Sequence, residues 1–381
     1  MNAIPFIDLK AQQARIAGEL SQKIDAVLTH GQYIMGPEIT ELEEKLCAFS
    51  GAKHTLACSN GSDAILLALL ALGVGRGDAV FIPSFTFAAT AEMVALTGAS
   101  PVFVDILETT FNIDPAHLKE CIREIKNAGK LTPKAIMPVD LFGQIADYPE
   151  IQPIAKEEGL HLISDAAQGF GARIGGKQAI DYADMVTTSF FPAKPLGCYG
   201  DGGAVQTNSN KLHDILVSLR NHGQGEDRYD NIRIGINGRI DSIQAAVLLL
   251  KLEIFADEIN MRNRVADRYN AALSDCLITP QIMNETVSTW AQYTIVSQNR
   301  DKIATDLREK SIPTAIYYAR PLHQQTAYKS YPIGGGELPV TDKLANKVIS
   351  LPMHPYLDET TQNKIISAVK ESAVTSECAA S

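Results

Sequence analysis

Between residues 55 and 207, short apolar runs rich in β-formers alternate with stretches whose apolar residues recur at helical spacing. HTLACS (54–59) leads into DAILLALLAL, AVFIP (79–83) into TAEMVALTG, and PVFVDI (101–106) into HLKECIREI. AIMPVDLFG (135–143) leads into PEIQPIAKEEG, and HLISDAA (161–167), DMVTTSFF (184–191) and GGAVQT (202–207) complete the series. Near-continuous apolar runs of this length suit strands covered on both faces, so the pattern predicts an α/β fold with a mostly parallel sheet. Gly and Asp punctuate the strand ends, as caps and turns require. After Gly238 the spacing becomes helical for more than thirty residues, longer than an ordinary globular helix, which predicts a bent or bridging element. From about residue 275, WAQYTIVS (290–297) and TAIYYA (314–319) read as strands among amphipathic helices, enough for a small α+β domain. The expected division is a large domain over 1–250, including an N-terminal helical segment, and a small one over 251–381 that begins in the long helix.

Composition narrows the function classes. In 381 residues, a 45% hydrophobic and 20% charged make-up permits a sizeable core. The net charge of −10 argues against a nucleic-acid or anionic-membrane surface. The start, MNAIPFIDLK, has neither the basic nor the apolar part of a signal peptide, and the apolar stretch from Ala64 is too short for a bilayer, where ~20 residues are needed. Six scattered cysteines without a CxxC pair read as reduced cytosolic thiols. The expectation is a cytoplasmic globular protein that binds no nucleic acid and no membrane. The eight histidines form no HExxH, so no metal is expected. GARIGGKQ (171–178) imitates a P-loop, but Gln178 stands where a magnesium-binding hydroxyl belongs. GVGRGD (73–78) follows a helix and precedes a strand, the reverse of the dinucleotide-binding order, and reads as a helix cap and turn. The closing VTSECAAS reads as frayed.

Three segments carry chemistry. Asp165 closes the apolar strand HLISDAA, where open α/β sheets bind ligands. A turn or helix-cap aspartate is the plainer reading of that position alone. Lys194 lies in SFFPAKPLGCYGDGGA between Pro192 and Pro195 and close to Phe190 and Phe191. Desolvation there favours the neutral amine, a nucleophile for an aldehyde. Asn60, Gly61 and Ser62 occupy a strand-to-helix turn that suits a phosphate, or that merely contains an N-cap at Ser62. Read jointly, a phosphate nest, an acid for a ring nitrogen and a lysine in an apolar pocket match the needs of pyridoxal 5′-phosphate (PLP).

With these blocks the chain resembles the DegT/DnrJ family of sugar aminotransferases, from FIDLKAQQARI through DAAQGFGA and SFFPAKPLGCYGDGGA to SLPMHPYLD. The resemblance implies the aspartate-aminotransferase-like fold (fold type I), PLP as cofactor, pyridoxamine phosphate as its intermediate form, and a homodimer with shared active sites. It implies Lys194 as the Schiff-base lysine, Asp165 as partner of the pyridinium nitrogen and Gln168 beside the phenolic oxygen. Gly61, Ser62 and Ser189 would hold the phosphate, Phe87 would stack on the ring with Phe85 as packing, and Asn237 would reach the phosphate from the other subunit. Arg239 is placed for a carboxylate of donor or sugar, with a structural ion pair as the other reading. HGQYIMGPE, AAVLLLKLEIF and SLPMHPYLD resemble members acting on UDP-2-acetamido-2-deoxy-3-oxo-glucuronate, with L-glutamate as donor, 2-oxoglutarate as its product, and O-antigen as the destination.

One stretch departs from that subgroup. AIYYARPLHQQ has Tyr317 where a His is expected, keeps Tyr318, and adds Arg320 and His323. This is sugar-site territory in relatives, so the departure bears on the substrate, with a dTDP- or GDP-linked keto sugar as the alternative. Arg320 suits a uronate carboxylate or a diphosphate, or is simply exposed. His222 and His354 read as structural. A non-catalytic PLP-binding sensor is the alternative of another class; no DNA-binding module accompanies it here.

Overall fold

The computed structural model of the protein describes residues 4–377, with side chains as far as residue 373, so Cys378 lies outside the described residues. The apolar runs of the first half form β1 (His54–Cys58), β2 (Asp78–Pro83), β3 (Ser100–Val104), β4 (Thr132–Ile136) and β5 (His161–Asp165). After a short β6 (Arg173–Ile174) outside the main sheet come β7 (Met185–Ser189) and β8 (Gly203–Thr207). Seven of these join in the order β1-β8-β7-β5-β4-β2-β3. From β3 to β7 every pair is parallel, whereas β8 is antiparallel to both neighbours, β7 and β1. The sheet is therefore mostly parallel, as its run lengths predict. β8 escapes the rule because the loop over residues 190–202 returns the chain directly beside β7, with no crossover helix.

Helices cover both faces. The helices of the first 220 residues are α1 (Leu9–His30), α2 (Pro37–Ser50), α3 (Gly61–Ala71), α4 (Ala88–Leu96), α5 (Pro115–Ala128), α6 (Tyr148–Glu158) and α7 (Asn210–Arg220), of which α1 packs on a later helix and not on the sheet. On one face α3 is buried almost all round, its Ala64, Leu67, Ala68 and Leu69 packed with Val80, Ile82, Ile163 and Val205 of the sheet and with Leu216 of α7. That burial explains a helix so apolar that its sequence shows no polar side. On the other face, Leu118, Cys121 and Ile122 of α5 and Ile151 and Ile154 of α6 meet Phe81, Val102 and Ile136. The ends of α5 follow local chemistry: Asp114 accepts from Ala116 N and His117 N, Pro115 opens the helix, and Gly129 at φ 63° closes it.

The long helical pattern is one 32-residue helix, α8 (Ser242–Leu273). Its first half packs Ala245, Leu248 and Leu249 against Phe170, Phe190 and Leu196. Its last turns pack Val265, Tyr269 and Leu273 into a separate core. That second core contains the strands β10 (Tyr293–Val296) and β11 (Val348–Leu351), which pair antiparallel; β9 (Thr286–Val287) pairs instead with β6. Around it lie α9 (Arg300–Glu309) and α11 (Glu359–Glu377), while α10 (Pro339–Ala345) lies elsewhere. The backbone of α11 stays helical through the start of the closing segment expected to fray; residues 378–381 lie outside the described residues.

The expected boundary at residue 250 falls inside α8, and chain from each side crosses it. Leu344 and Ala345 of α10 pack with Phe85 and Phe111, and Asp105 accepts from Val340 N and Thr341 N. In the opposite direction, Ile4 packs into the second core and Met353 N donates to Phe6 O. Residues 332–334 run beside the edge strand β3, with Phe103 N donating to Pro332 O and Gly334 N to Phe103 O, both at 3.0 Å.

Two expectations are corrected. The stretch 314–319 is not a strand: only Ala315 pairs, with Ser350, because the chain then turns toward the large sheet, where Tyr318 meets Gln168. The cap of α3 is Asn60, whose side chain accepts from Asp63 N, so Ser62 lies within the first turn. GARIGGKQ, which the sequence already set apart from a true P-loop, forms a tight turn in which Ile174 and Lys177 exchange backbone bonds. Among the described residues, no helix is long and apolar enough to cross a membrane.

Candidate active site

The carboxyl ends of β1, β2, β5 and β7 open on the same side of the sheet, where open α/β folds bind ligands. Each end contributes a side chain or turn from the sequence reading: Asn60–Gly61–Ser62 after β1, Phe87 after β2, Asp165 on β5, and Ser189 on β7 followed by the Lys194 loop.

The turn after β1, the candidate for a phosphate, is built by close approach. A Cβ on Gly61 would lie 2.5 Å from Cβ of Ser189, so only glycine lets the N-terminus of α3 come this close to β7. In the register Gly203 faces both Cys58 and Ser189, and a Cβ there would lie 2.4 Å from the Asn60 carbonyl oxygen. The result is a concave turn with the free N–H groups of the first turn of α3 beside two hydroxyls, the donor set a phosphate needs. Ser189 Oγ accepts from Phe191 N at 3.3 Å, leaving its proton free to donate outward.

Asp165 is buried at the end of β5. Its Oδ2 accepts from Thr90 Oγ1 at 2.9 Å and its Oδ1 from Ala167 N at 3.2 Å. Burial pushes its carboxyl up, while these bonds and the charge of Lys194 pull it back. Lys194 is half-buried, and its ammonium is pushed down by desolvation against the opposing pull of Asp165. Each charge thus bears on the other, Lys194 lowering the carboxyl of Asp165 and Asp165 raising the ammonium of Lys194.

Gln168 is oriented on two sides. Its Oε1 accepts from Phe142 N at 2.8 Å, and its Nε2 donates to Tyr318 Oη at 3.1 Å. With the amide oxygen occupied, the remaining N–H is free for a phenolic oxygen. Phe87 is 58% exposed, so it is not core, whereas Phe85 is fully buried as packing. Tyr317 and Tyr318 are half-buried, and burial raises both hydroxyls.

The remaining predicted residues are more scattered. Ser59 N donates to Gly238 O at 3.0 Å, which seats residues 237–239 against the phosphate turn of the same chain. Asn237 is exposed there and accepts from Arg239 Nε at 3.0 Å. Arg320 is exposed, and its carbonyl accepts from Gln325 Nε2. His323 has both ring nitrogens engaged, Nδ1 with Ser84 Oγ at 2.7 Å and Nε2 with Asp342 Oδ1 at 3.1 Å, so it braces its loop against β2 and α10. His222 is exposed and His354 is buried with its pKa pushed down to about 4 by desolvation.

Three further residues lie against this machinery. Thr90, three positions after Phe87, bonds Asp165. Asp140 accepts from Ala146 N and Tyr148 Oη beneath Asp165, and burial raises its carboxyl to about 7. Lys251, wholly buried on α8, donates to Gly197 O at 2.6 Å in the loop that carries Lys194. The signal for Asp140 was present in the sequence: like Asp165, it follows directly on an apolar run.

The donor set fits PLP: a glycine-walled phosphate turn, a buried acid, an oriented amide and a lysine in apolar surroundings. Bound PLP supplies an aldehyde for amines and a protonated ring that accepts electrons. Comparison with known proteins agrees. UDP-2-acetamido-2-deoxy-3-oxo-D-glucuronate aminotransferase of Pseudomonas aeruginosa is 49% identical over 368 residues, covering 96% of this chain and 99% of that one. The crystal structure of a DegT DnrJ EryC1 StrS aminotransferase from Brucella abortus superposes with a TM-score of 0.96 at 50% identity, covering 97% and 99% of the two chains. Streptomyces venezuelae DesV, solved in complex with a ketimine intermediate, gives 0.91 at 34% identity, covering 98% and 99%. With residues 14–370 matching the family as a whole, the chain belongs to the DegT/DnrJ/EryC1/StrS aminotransferase family and is a PLP-dependent enzyme.

Proposed function

We propose that this enzyme transfers the amino group of L-glutamate to the 3-keto group of a UDP-linked 2-acetamido hexuronate, as a homodimer with shared active sites. The observation that supports the reaction is the buried, hydrogen-bonded Asp165 at the end of β5, with the amide of Gln168 oriented three positions on and the charge of Lys194 bearing on the carboxylate. The 49% identity to the P. aeruginosa enzyme supports the sugar.

The residues divide the work. Gly61, Ser62 and Ser189, with Asn237 of a second subunit, hold the cofactor phosphate, and Phe87 lies against the ring. Asp165 accepts the ring N–H and keeps that nitrogen protonated. Desolvation favours the neutral amine of Lys194. Its Nζ takes the proton from the α-carbon of the donor and later delivers one to C3 of the sugar, on the face from which it projects. Arg239 and Arg320 supply fixed positive charge for carboxylate or diphosphate, in a chain whose net charge is −10. Tyr317 and Tyr318 line the sugar side, and His323 holds their loop.

The test starts from the visible absorption of the purified, PLP-loaded protein. L-Glutamate should bleach it, and borohydride should fix the cofactor on Lys194. A panel of UDP-, dTDP- and GDP-linked keto sugars then reads substrate choice, with a 3-amino uronate expected from the UDP-linked compound. Bleaching followed by transfer only to a dTDP- or GDP-linked sugar would overturn the substrate. Absence of bleaching in a loaded protein would favour a sensor over an enzyme.

A further inference from the structure

The first turn of α4 carries two residues of the candidate site. Phe87 is its N-cap residue, and Thr90 N donates to Phe87 O at 3.3 Å, so the two share one turn of backbone. Thr90 is 1% exposed, and its Oγ1 lies 2.9 Å from Asp165 Oδ2 and 3.3 Å from Thr86 Oγ1. An ionised carboxylate only accepts, so the single proton of Thr90 points at Asp165, and Thr86 must be the donor in the threonine pair. The bonds are thus aligned Thr86 to Thr90 to Asp165.

We propose that Thr90 is a positioning residue for Asp165, its hydroxyl fixing the orientation and the ionised state of the carboxylate that meets the cofactor nitrogen. The inference rests on Asp165 being that partner. Oδ1 is held by Ala167 N and Oδ2 by Thr90, which stops the carboxylate from rotating and leaves one lone pair on each oxygen for the ring N–H. A hydrogen bond to a charged acceptor is about twice as strong as a neutral one. Removing it from a buried carboxylate favours the protonated form, in which Asp165 no longer stabilises a positive ring nitrogen. The other ionisable groups around Asp165 are Lys194 from the loop after β7, Asp140 from the segment after β4, Tyr148 at the start of α6, and Tyr318 from the C-terminal part of the chain. Among the described residues, Thr90 is the one that bonds Asp165 through a side-chain hydroxyl.

The test compares wild type with Thr90→Val, which keeps the shape and loses the hydroxyl, and with Thr90→Ser, which keeps the hydroxyl. Apoprotein is titrated with PLP across the pH range and the dissociation constant read from the visible band. Thr90→Val should weaken PLP about tenfold and move the acid limb of binding up by about one pH unit. Thr90→Ser should hold both within about twofold of wild type. Coincident limbs for wild type and Thr90→Val, or equal shifts in Val and Ser, would overturn the proposal. If the Val variant does not fold, Thr90→Ala serves in its place with the same expectations. Asp165→Asn separates the two levels of the argument: its limb should vanish, and an unchanged limb would remove Asp165 itself from the ring nitrogen.

Discussion

Lys251 offers a sharp quantitative test of how α8 holds the lysine loop. It is wholly buried, with Nζ 2.6 Å from Gly197 O and 4.2 Å from the centroid of the Tyr199 ring. Burial lowers its pKa from 10.5 to about 8, and Glu258 offsets only part of that. At 1.36 kcal/mol per pKa unit, holding the charged form at pH 7 costs about 3 kcal/mol relative to an exposed lysine. Lys251→Met sheds this cost and forfeits a charge-assisted bond of similar size, ~1.5–3 kcal/mol, so the two proteins should be close in stability at neutral pH. They should diverge in base. The unfolded lysine keeps its proton until about 10.5 while the folded one releases it near 8. Between those values the unfolded state binds more protons, and stability rises with pH. By about pH 9.5 wild type should gain about 2 kcal/mol that the Met variant cannot. Urea unfolding at fixed protein and PLP concentration, run on both proteins at neutral pH and at about pH 9.5, measures the gap, and other titrating groups cancel in the difference. A gap that stays constant within about 0.5 kcal/mol would refute a buried, charged Lys251.

Other expectations follow from single contacts. Gly61→Ala places a Cβ 2.5 Å from Cβ of Ser189 and should weaken PLP at least ~10-fold in an equilibrium titration, since the phosphate turn must open to admit it. Asp140→Asn should gain on wild type, by ~3–4 kcal/mol, as pH rises from about 4 to above 7. The buried carboxyl of Asp140 holds its proton to about 7 while the unfolded one releases it near 3.8, so wild type loses stability across that window. Denaturant unfolding at the two ends reads this, and parallel curves would sink it. Phe255→Ala empties a fully buried site between Phe49 and Phe170, whose ring centroids lie 5.4 and 6.2 Å away. It should cost ~3–5 kcal/mol and lower the thermal midpoint by roughly 5 °C; a drop under about 2 °C would mean the cavity collapses.

The sheet was legible because each strand is a short apolar run between turn residues, and the long helix because its spacing persists past thirty residues. The order of the strands, and β8 running against its neighbours, were not, since pairing is set by contacts distant along the chain. In the site, Asp165 and Lys194 could be read from their immediate surroundings: one ends an apolar strand, the other lies between prolines and aromatics. Thr90 and Lys251 could not, because their meaning comes from Asp165, 75 positions away, and Gly197, 54 positions away. The stretch 314–319 has strand-like composition, yet β11 offers it a partner only at Ala315 and the large sheet draws Tyr318 off. Tertiary contact there outweighs a local preference.

The segment 332–334 along β3 has a consequence for how the protein is made. A ribosome finishes all seven strands of the large sheet more than 120 residues before it supplies the stretch that covers their outer edge. Until then β3 presents unpaired backbone groups, a template for pairing with another nascent chain. Polypeptides that end before residue 332 should therefore associate and precipitate even though every strand of the sheet is present, and those that extend past 336 should be spared in proportion to how firmly the stretch docks. The late-made part of the chain would then act as a seal on the early-made part, tying quality control of the sheet to completion of synthesis.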